Sequence, residues 1–246
     1  MKAKVLTLVA VALIGAAGNA FATGTPQGLP FSQDWTNIGL ITANDDWSGV
    51  PGILGFLGDN PVTSVTGVNP TSLVGDSSGV QDVIANGTNP NTSTAGGVGE
   101  FHITNPVVAL QGSGTADFPH LRFHVVTTGL QSITFNCNLR DIDGSTDNAN
   151  TPVAVQYRVG NAGNWTNVTS VADATTGPSL ATLVTPVSAV LPAGANNQPE
   201  VQIRVLTTNS VGNDEWIGID DISITGTNLP VPTETSSWSA IKKGSN

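Results

Sequence analysis

Ile133-Thr134-Phe135-Asn136-Cys137-Asn138-Leu139-Arg140 alternates apolar and polar residues without a break. A period of two puts one set on each face of an extended strand, so this stretch reads as a half-buried β-strand. The same reading applies on either side of it. Leu121, Phe123 and Val125 alternate with His120, Arg122 and His124, and Val153, Val155, Tyr157 and Val159 with Ala154, Gln156 and Arg158. Further on, Val201, Ile203 and Val205 alternate with Gln202 and Arg204. Gly, Pro, Asn and Thr interrupt the chain at short intervals, and the three-four spacing of amphipathic helices is missing. Strands of this kind joined by long polar loops describe an all-β protein, an antiparallel jelly-roll β-sandwich forming a single domain.

Composition agrees. The chain has 246 residues, 28 of them Gly and 15 Pro, with 39% hydrophobic and only 11% charged residues and a net charge of −10. There is enough apolar surface for a core, which argues against a disordered acidic chain. The acidic balance excludes a generic nucleic-acid binder, whose surface is strongly basic. Cys137 is the single cysteine, so no intrachain disulfide closes this fold.

The N-terminus reads as a secretory leader over residues 1–22. Lys2 and Lys4 precede an apolar run from Val5 to Ala17, and Ala20-Phe21-Ala22 supplies the small residues of a cleavage site. The run is short for a membrane span, and no later stretch reaches about 20 apolar residues. These features predict a protein secreted outside the cell or held at its surface, in a bacterium, since export without disulfides fits that setting. The domain is expected over residues 23–226 and a flexible C-terminal tail over residues 227–246. Between Asp59 and Gly99 weak periodicity predicts long surface loops around short strands. Leu180 to Leu191 reads as an edge strand pair, because Pro186 cannot donate within a central ladder.

Three segments carry a resemblance. Phe31-Ser32-Gln33-Asp34-Trp35, Leu40-Ile41-Thr42-Ala43-Asn44-Asp45-Asp46-Trp47-Ser48-Gly49 and Asn213-Asp214-Glu215-Trp216-Ile217-Gly218-Ile219-Asp220-Asp221-Ile222 resemble a jelly-roll module of secreted bacterial multidomain proteins. That module often sits beside extracellular nuclease or phosphatase domains. The closing strand is also similar to that of MAM and concanavalin-like sandwiches. The resemblance implies a β-sandwich and places Trp35, Trp47 and Trp216 as core or loop anchors; it implies no particular activity.

Catalytic signals are weak. His120 and His124 would lie about 13 Å apart along a strand, too far to share a metal. Gly75-Asp76-Ser77-Ser78-Gly79 lacks the strand-to-helix setting that makes a hydrolase serine reactive, so it reads as a loop. Cys137 falls on the inward phase of its strand and reads as a small buried hydrophobe. The chain is therefore expected not to be an enzyme.

Carboxylates are the better lead. Asp141-Ile142-Asp143-Gly144-Ser145-Thr146-Asp147-Asn148 crowds oxygen donors around a flexible glycine. The spacing resembles the start of an EF-hand loop, although Pro152 stands where the closing Glu would be. Two readings stay open: a Ca2+ site using Asp141, Asp143 and Asp147, or an Asx-turn loop whose carboxylates bond their own backbone. Asp220 is a further candidate. Ile217 and Ile219 share one phase and Ile222 and Ile224 the other, so a bulge at Asp220-Asp221 is predicted, and a carboxylate turned inward there needs a cation, an Arg or backbone donors.

The four arginines form the other candidate site. Arg122, Arg140, Arg158 and Arg204 each sit on the polar phase of a different strand, with Gln156 and Gln202 among their companions. If those strands are neighbours, one sheet face offers a ladder of planar donors suited to an extracellular polysaccharide or other anionic polymer, nucleic acid included. The alternative is cross-strand or loop pairing that only solubilises the sheet. The functional expectation is a non-catalytic module for extracellular adhesion, matrix attachment or polymer capture with structural Ca2+. The other possibility is a self-associating subunit of an extracellular assembly.

Overall fold

The computed structural model of the protein describes residues 24–59, 63–145, 149–176 and 181–231. The leader of residues 1–22 and all of the tail beyond Val231 lie outside the described residues, as does Asp147.

Thirteen strands form two facing sheets. They are β1 (Gln27–Gly28), β2 (Phe31–Gln33), β3 (Ile53–Phe56), β4 (Ile84–Gly87), β5 (Gly97–Phe101), β6 (Val107–Gln111), β7 (His120–Val126), β8 (Leu130–Asp141), β9 (Val153–Val159), β10 (Thr166–Val171), β11 (Val184–Val190), β12 (Val201–Leu206) and β13 (Ile217–Asn228). The first sheet runs β1-β7-β12-β9-β10, with β3 also on the free edge of β7; the second runs β11-β8-β13-β6-β5-β4, with β2 also on β13. Among the described residues the only helical elements are three short 3-10 turns, and no helix is long and apolar enough to cross a membrane.

The alternating stretches become β7, β8, β9 and β12, and their apolar phases meet between the sheets. Phe123 of β7 and Phe135 of β8 face each other with ring centroids 5.4 Å apart. Trp35, Trp47 and Trp216 are all buried in this core, as is Cys137, whose thiol burial pushes up to about 12.

The structure departs from the sequence reading in several places. The sheets are mixed and not purely antiparallel, since β1 pairs with β7 and β4 with β5 in parallel. Of the stretch 180–191, residue 180 lies outside the described residues, and the described ones give one edge strand, β11, which pairs with β8 through Pro186, not a pair of strands. The last strand continues to Asn228, where it still pairs with Leu130, two residues beyond the expected boundary. The predicted bulge is present: the β8–β13 register shifts between Asp220 and Ser223, and Asp221 takes a φ of +48°.

Residues 63–80 fold back as a roof across the outer face of the first sheet, so Val65, Phe118, Ala154 and Leu206 make a second, smaller apolar cluster there. Gly58 turns the chain into this roof with a φ of +72°, and a side chain there would collide with the Phe118 carbonyl.

Candidate functional site

The polar face of the first sheet is set by register. Arg204 of β12 lies opposite Arg122 of β7 on one side and Gln156 of β9 on the other; in the next row Gln202 lies between His124 and Arg158. Three of the four arginines thus converge as the polar phase predicted. Arg140 does not join them. It stands on β8 of the other sheet, where its Nη1 donates to Asp220 at 2.8 Å and to the Asn105 carbonyl at 3.2 Å. Alternation fixes the face a residue takes, not the sheet its strand enters.

The converged ladder is roofed, which corrects its reading as an open face. Trp165 lies over Arg158 and Arg204, with their guanidinium carbons 4.3 and 4.4 Å from its ring centroid, and Arg122 at 5.2 Å. Asp76 comes down from the loop between them. Arg158 donates to it at 2.7 Å, the Trp165 indole N–H at 2.9 Å and Arg122 at 3.3 Å. Arg204 donates to the carbonyls of Gly75 and Leu73 and, at 2.7 Å, to Gln156. Arg158 grips Gln202 Oε1 through Nε and Nη2, and Gln202 in turn donates to Glu200. Arg158 and Arg204 are 4% and 0% exposed, so their donors are turned to internal partners and not to solvent.

The electrostatics follow from that packing. Burial, partly offset by Asp76 and aggravated by a neighbouring guanidinium, brings Arg122 down to about 10; burial and then Arg122 bring Arg204 down to about 9. Burial and then Arg122 lower His124 to about 4, and His120 is held well below its ordinary range for the same reasons. Burial alone would raise the Asp76 carboxyl, but its bonds from Arg158 and Trp165 and the charge of Arg122 outweigh that and hold it low.

The carboxylates divide between two places. Asp220 lies on the outer side of the second sheet, bound to Arg140 and, at 3.0 Å, to the Asn105 amide. It does not join Asp141 and Asp143, because it alternates outward from Ile219 and lies opposite Asn138, three positions along β8 from Asp141. Asp141 continues the inward phase of β8 and sits at one end of the core, opposite Ile217. Its Oδ1 accepts the Asp143 N–H at 3.2 Å, and Asp143 accepts the Ser145 N–H at 3.0 Å, as an Asx-turn requires. Two acids that the sequence reading did not connect complete the cluster: Glu215, preceding β13, and Asp173, following β10. Asp173 accepts the N–H groups of Thr151 and Thr175, each at 3.2 Å. Burial first, then the charges of Asp143 and Asp173, push Asp141 up to about 7. Burial, and with it Asp141, Asp143 and Asp173, pushes Glu215 up to about 7.

The outer face of the second sheet is the open one. In one row Ser188 of β11, Asn136 of β8 and Ser223 of β13 lie side by side; in the next stand Val190, Thr134 and Thr225. A hollow of about 320 Å³, lined by Ser32, Gln33, Asp34, Asp221, Ile222 and Ser223, adjoins the first row.

No protein-family model matches the chain, and no curated protein does. Among solved structures it is similar to the K3 cleaved adhesin domain of Lys-gingipain from Porphyromonas gingivalis, at 17% identity over 49% of this chain and 74% of that one, TM-score 0.36. It is also similar to a family 28 carbohydrate-binding module specific for non-crystalline cellulose, at 9% identity over 58% and 98% of the two chains, TM-score 0.36. A third is the CBM27-1 module of Caldicellulosiruptor saccharolyticus, solved with mannohexaose, at 15% identity over 51% and 77%, TM-score 0.33. A likeness this loose carries neither site nor ligand from those proteins to this one.

Signals for the missed residues were present in part. The inward phase from Ile133 to Leu139 extends to Asp141, and Glu215 shares the phase of Ile217 and Ile219, so both were marked for the interior. Nothing local announced that Asp76 would close over the arginines.

Proposed function

We propose that the protein is a secreted, non-catalytic β-sandwich module that captures a hydroxyl-rich extracellular polymer on the open face of its second sheet. The observation that carries this is the in-register row Ser188–Asn136–Ser223 across β11, β8 and β13. Amide and hydroxyl side chains on a fixed spacing exchange hydrogen bonds readily with sugar hydroxyls. A sheet presents them without the ordering cost of a loop. Val184 and Val190, 49% and 64% exposed, add apolar edges along β11 against which sugar C–H groups can rest. The arginine ladder, turned to internal partners, supports a structural part for Arg122, Arg158 and Arg204, and so a neutral polymer over an anionic one.

Affinity electrophoresis through gels containing a neutral glucan, a mannan, a xylan or polygalacturonate tests the reading. Retardation in at least one neutral gel is expected, and it should vanish in an Asn136→Ala, Ser188→Arg variant that keeps its melting temperature. Retardation confined to polygalacturonate and abolished by salt, or none in any gel, would overturn it.

A further inference from the structure

Both carboxylate oxygens of Glu215 and Oδ2 of Asp141 are buried without a hydrogen-bond partner. Their residues are 0% and 2% exposed. A buried carboxylate without a strong protein donor is a costly arrangement for a folded chain to hold. The Ile142 N–H donates to the Trp216 carbonyl at 3.3 Å, which sets Asp141 and Asp143 (3% exposed) beside Glu215, and the charges of Asp143 and Asp173 act on both. The Thr175 hydroxyl stands near enough to Glu215 to lower its carboxyl in part, but it is shared with Thr151 at 2.8 Å, Ala149 O at 3.4 Å and Asp173 at 3.4 Å.

Among the described residues no lysine or arginine is at hand to balance this charge. The described residues contain four arginines and no lysine. Arg122 and Arg158 pair with Asp76, Arg140 with Asp220, and Arg204 with carbonyls of the roof. None of the ion pairs among the described residues reaches the four acids. Location adds to the argument. Asp141 and Glu215 come from the second sheet, whereas Thr151 and Asp173 flank β9 and β10 of the first. An ion among them would tie the two sheets at this end of the sandwich.

We propose that Asp141, Asp143, Asp173 and Glu215 furnish the carboxylates of a Ca2+ site that joins the two sheets. As the side chains stand, no three acidic, histidine or cysteine residues among the described residues form a group that holds a metal by itself. Binding therefore requires these side chains to close on the ion; Ca2+ takes six to eight oxygens in loose geometry and accepts carbonyls and hydroxyls beside carboxylates. The Ala149 carbonyl and the buried hydroxyls of Thr151 and Thr175 lie in the same cluster. The absence of His and Cys from the set disfavours zinc and softer metals. A cleft of about 410 Å³ has among its walls Asn150 and Ala172, the chain neighbours of Ala149 and Asp173.

The test is thermal unfolding of the whole purified protein at neutral pH, in chelator and in excess Ca2+, with Tb3+ luminescence sensitised through the buried Trp216 as a second readout. The wild type should melt about 5–10 °C higher at a hundredfold excess of Ca2+ over its dissociation constant. It should also give Tb3+ emission that Ca2+ quenches. Glu215→Gln keeps the side chain's size and removes one of the repelling charges. It should melt at least as high as wild type in chelator, lose the Ca2+ shift and give no emission. Asp221→Asn, altering an exposed acid elsewhere, should keep both responses. A wild type that Ca2+ moves by less than about 1 °C at saturation, and that gains stability in chelator only on acidification, would overturn the proposal, since protonation would then resolve the cluster. A Ca2+ shift undiminished in Glu215→Gln would overturn it equally, by placing the ion elsewhere.

Discussion

Arg204 lies directly opposite Arg122 on the adjacent strand, two like charges in one cross-strand pair. Such a pairing is unfavourable in a solvated sheet. Here it is tolerated because Trp165 presents the negative face of its ring to both guanidinium groups, Asp76 accepts from Arg122, and Gln156 and roof carbonyls accept from Arg204. The roof and the ladder are thus one electrostatic unit: the arginines hold the loop down, and the loop makes the arginines bearable.

Asp76→Asn tests that unit. It keeps the shape of the acceptor but removes the carboxylate that pairs with both Arg122 and Arg158. A loss of about 1–2 kcal/mol is expected at neutral pH, discounted for the exposure of Asp76. The sign with pH is fixed by the depressed carboxyl. Its stabilisation is complete above the ordinary value of 3.8 and disappears as pH falls through the lower folded value. Urea curves for wild type and variant should therefore differ at neutral pH and converge in strong acid.

The contrast between two lysine substitutions checks the geometry. Arg158 uses Nε and Nη2 on Gln202 and Nη1 on Asp76 while stacking on Trp165. Lysine can reproduce neither the fork nor the plane, so Arg158→Lys should cost about 2–3 kcal/mol. Arg140 works through Nη1 alone, at Asp220 and Asn105. A point charge nearly suffices there, and Arg140→Lys should cost under about 1 kcal/mol in the same denaturation assay.

Local periodicity made the central strands legible, and its failures were informative too. The phase change between Ile219 and Ile222 required a bulge, and the structure has one at Asp220-Asp221. What alternation cannot encode is long-range. The two- to four-residue strands β1 to β4 are too short to show a period, and their partners, including the parallel ones, are chosen by packing. The roof over the arginines depends on Asp76 meeting Arg158 across 82 positions. For the acidic cluster, the sequence marked Asp141 and Asp143 by spacing, while Glu215 reaches them through the pairing of β13 with β8 and Asp173 only because the sheets stack.

Asp82 gives a pH dependence of the opposite sign to that of Asp76. Burial, with a smaller push from Asp45, raises its carboxyl to about 6, although the Val98 N–H donates to it at 2.6 Å. A carboxyl raised on folding binds its proton more tightly in the native state. Its contribution therefore falls as pH rises from about 4 to beyond 6. Asp82→Asn retains an acceptor for Val98 and removes the charge. It should be worth about 1–2 kcal/mol at neutral pH, partial exposure discounted, and nothing below pH ~4. Melting curves across that range, compared as differences from wild type, give the answer directly.

Cys137 offers a probe of the core itself. It lies on the inward phase of β8, paired with Val187 of the edge strand β11, and is 3% exposed. Only the thiolate alkylates at a useful rate, and burial pushes this thiol up to about 12. In the native protein iodoacetamide should therefore label Cys137 only through opening. Two openings are possible, and their denaturant dependence separates them. If β11 peels from β8, little surface is exposed, and labelling should be nearly independent of dilute urea. If the sandwich opens as a unit, the labelling free energy should fall with urea along the slope of global unfolding. Because β11 is held on one side only, through a strand containing Pro186, the first behaviour is expected. A slope equal to the global one would show instead that the edge strand is as firmly held as the centre of the sheet.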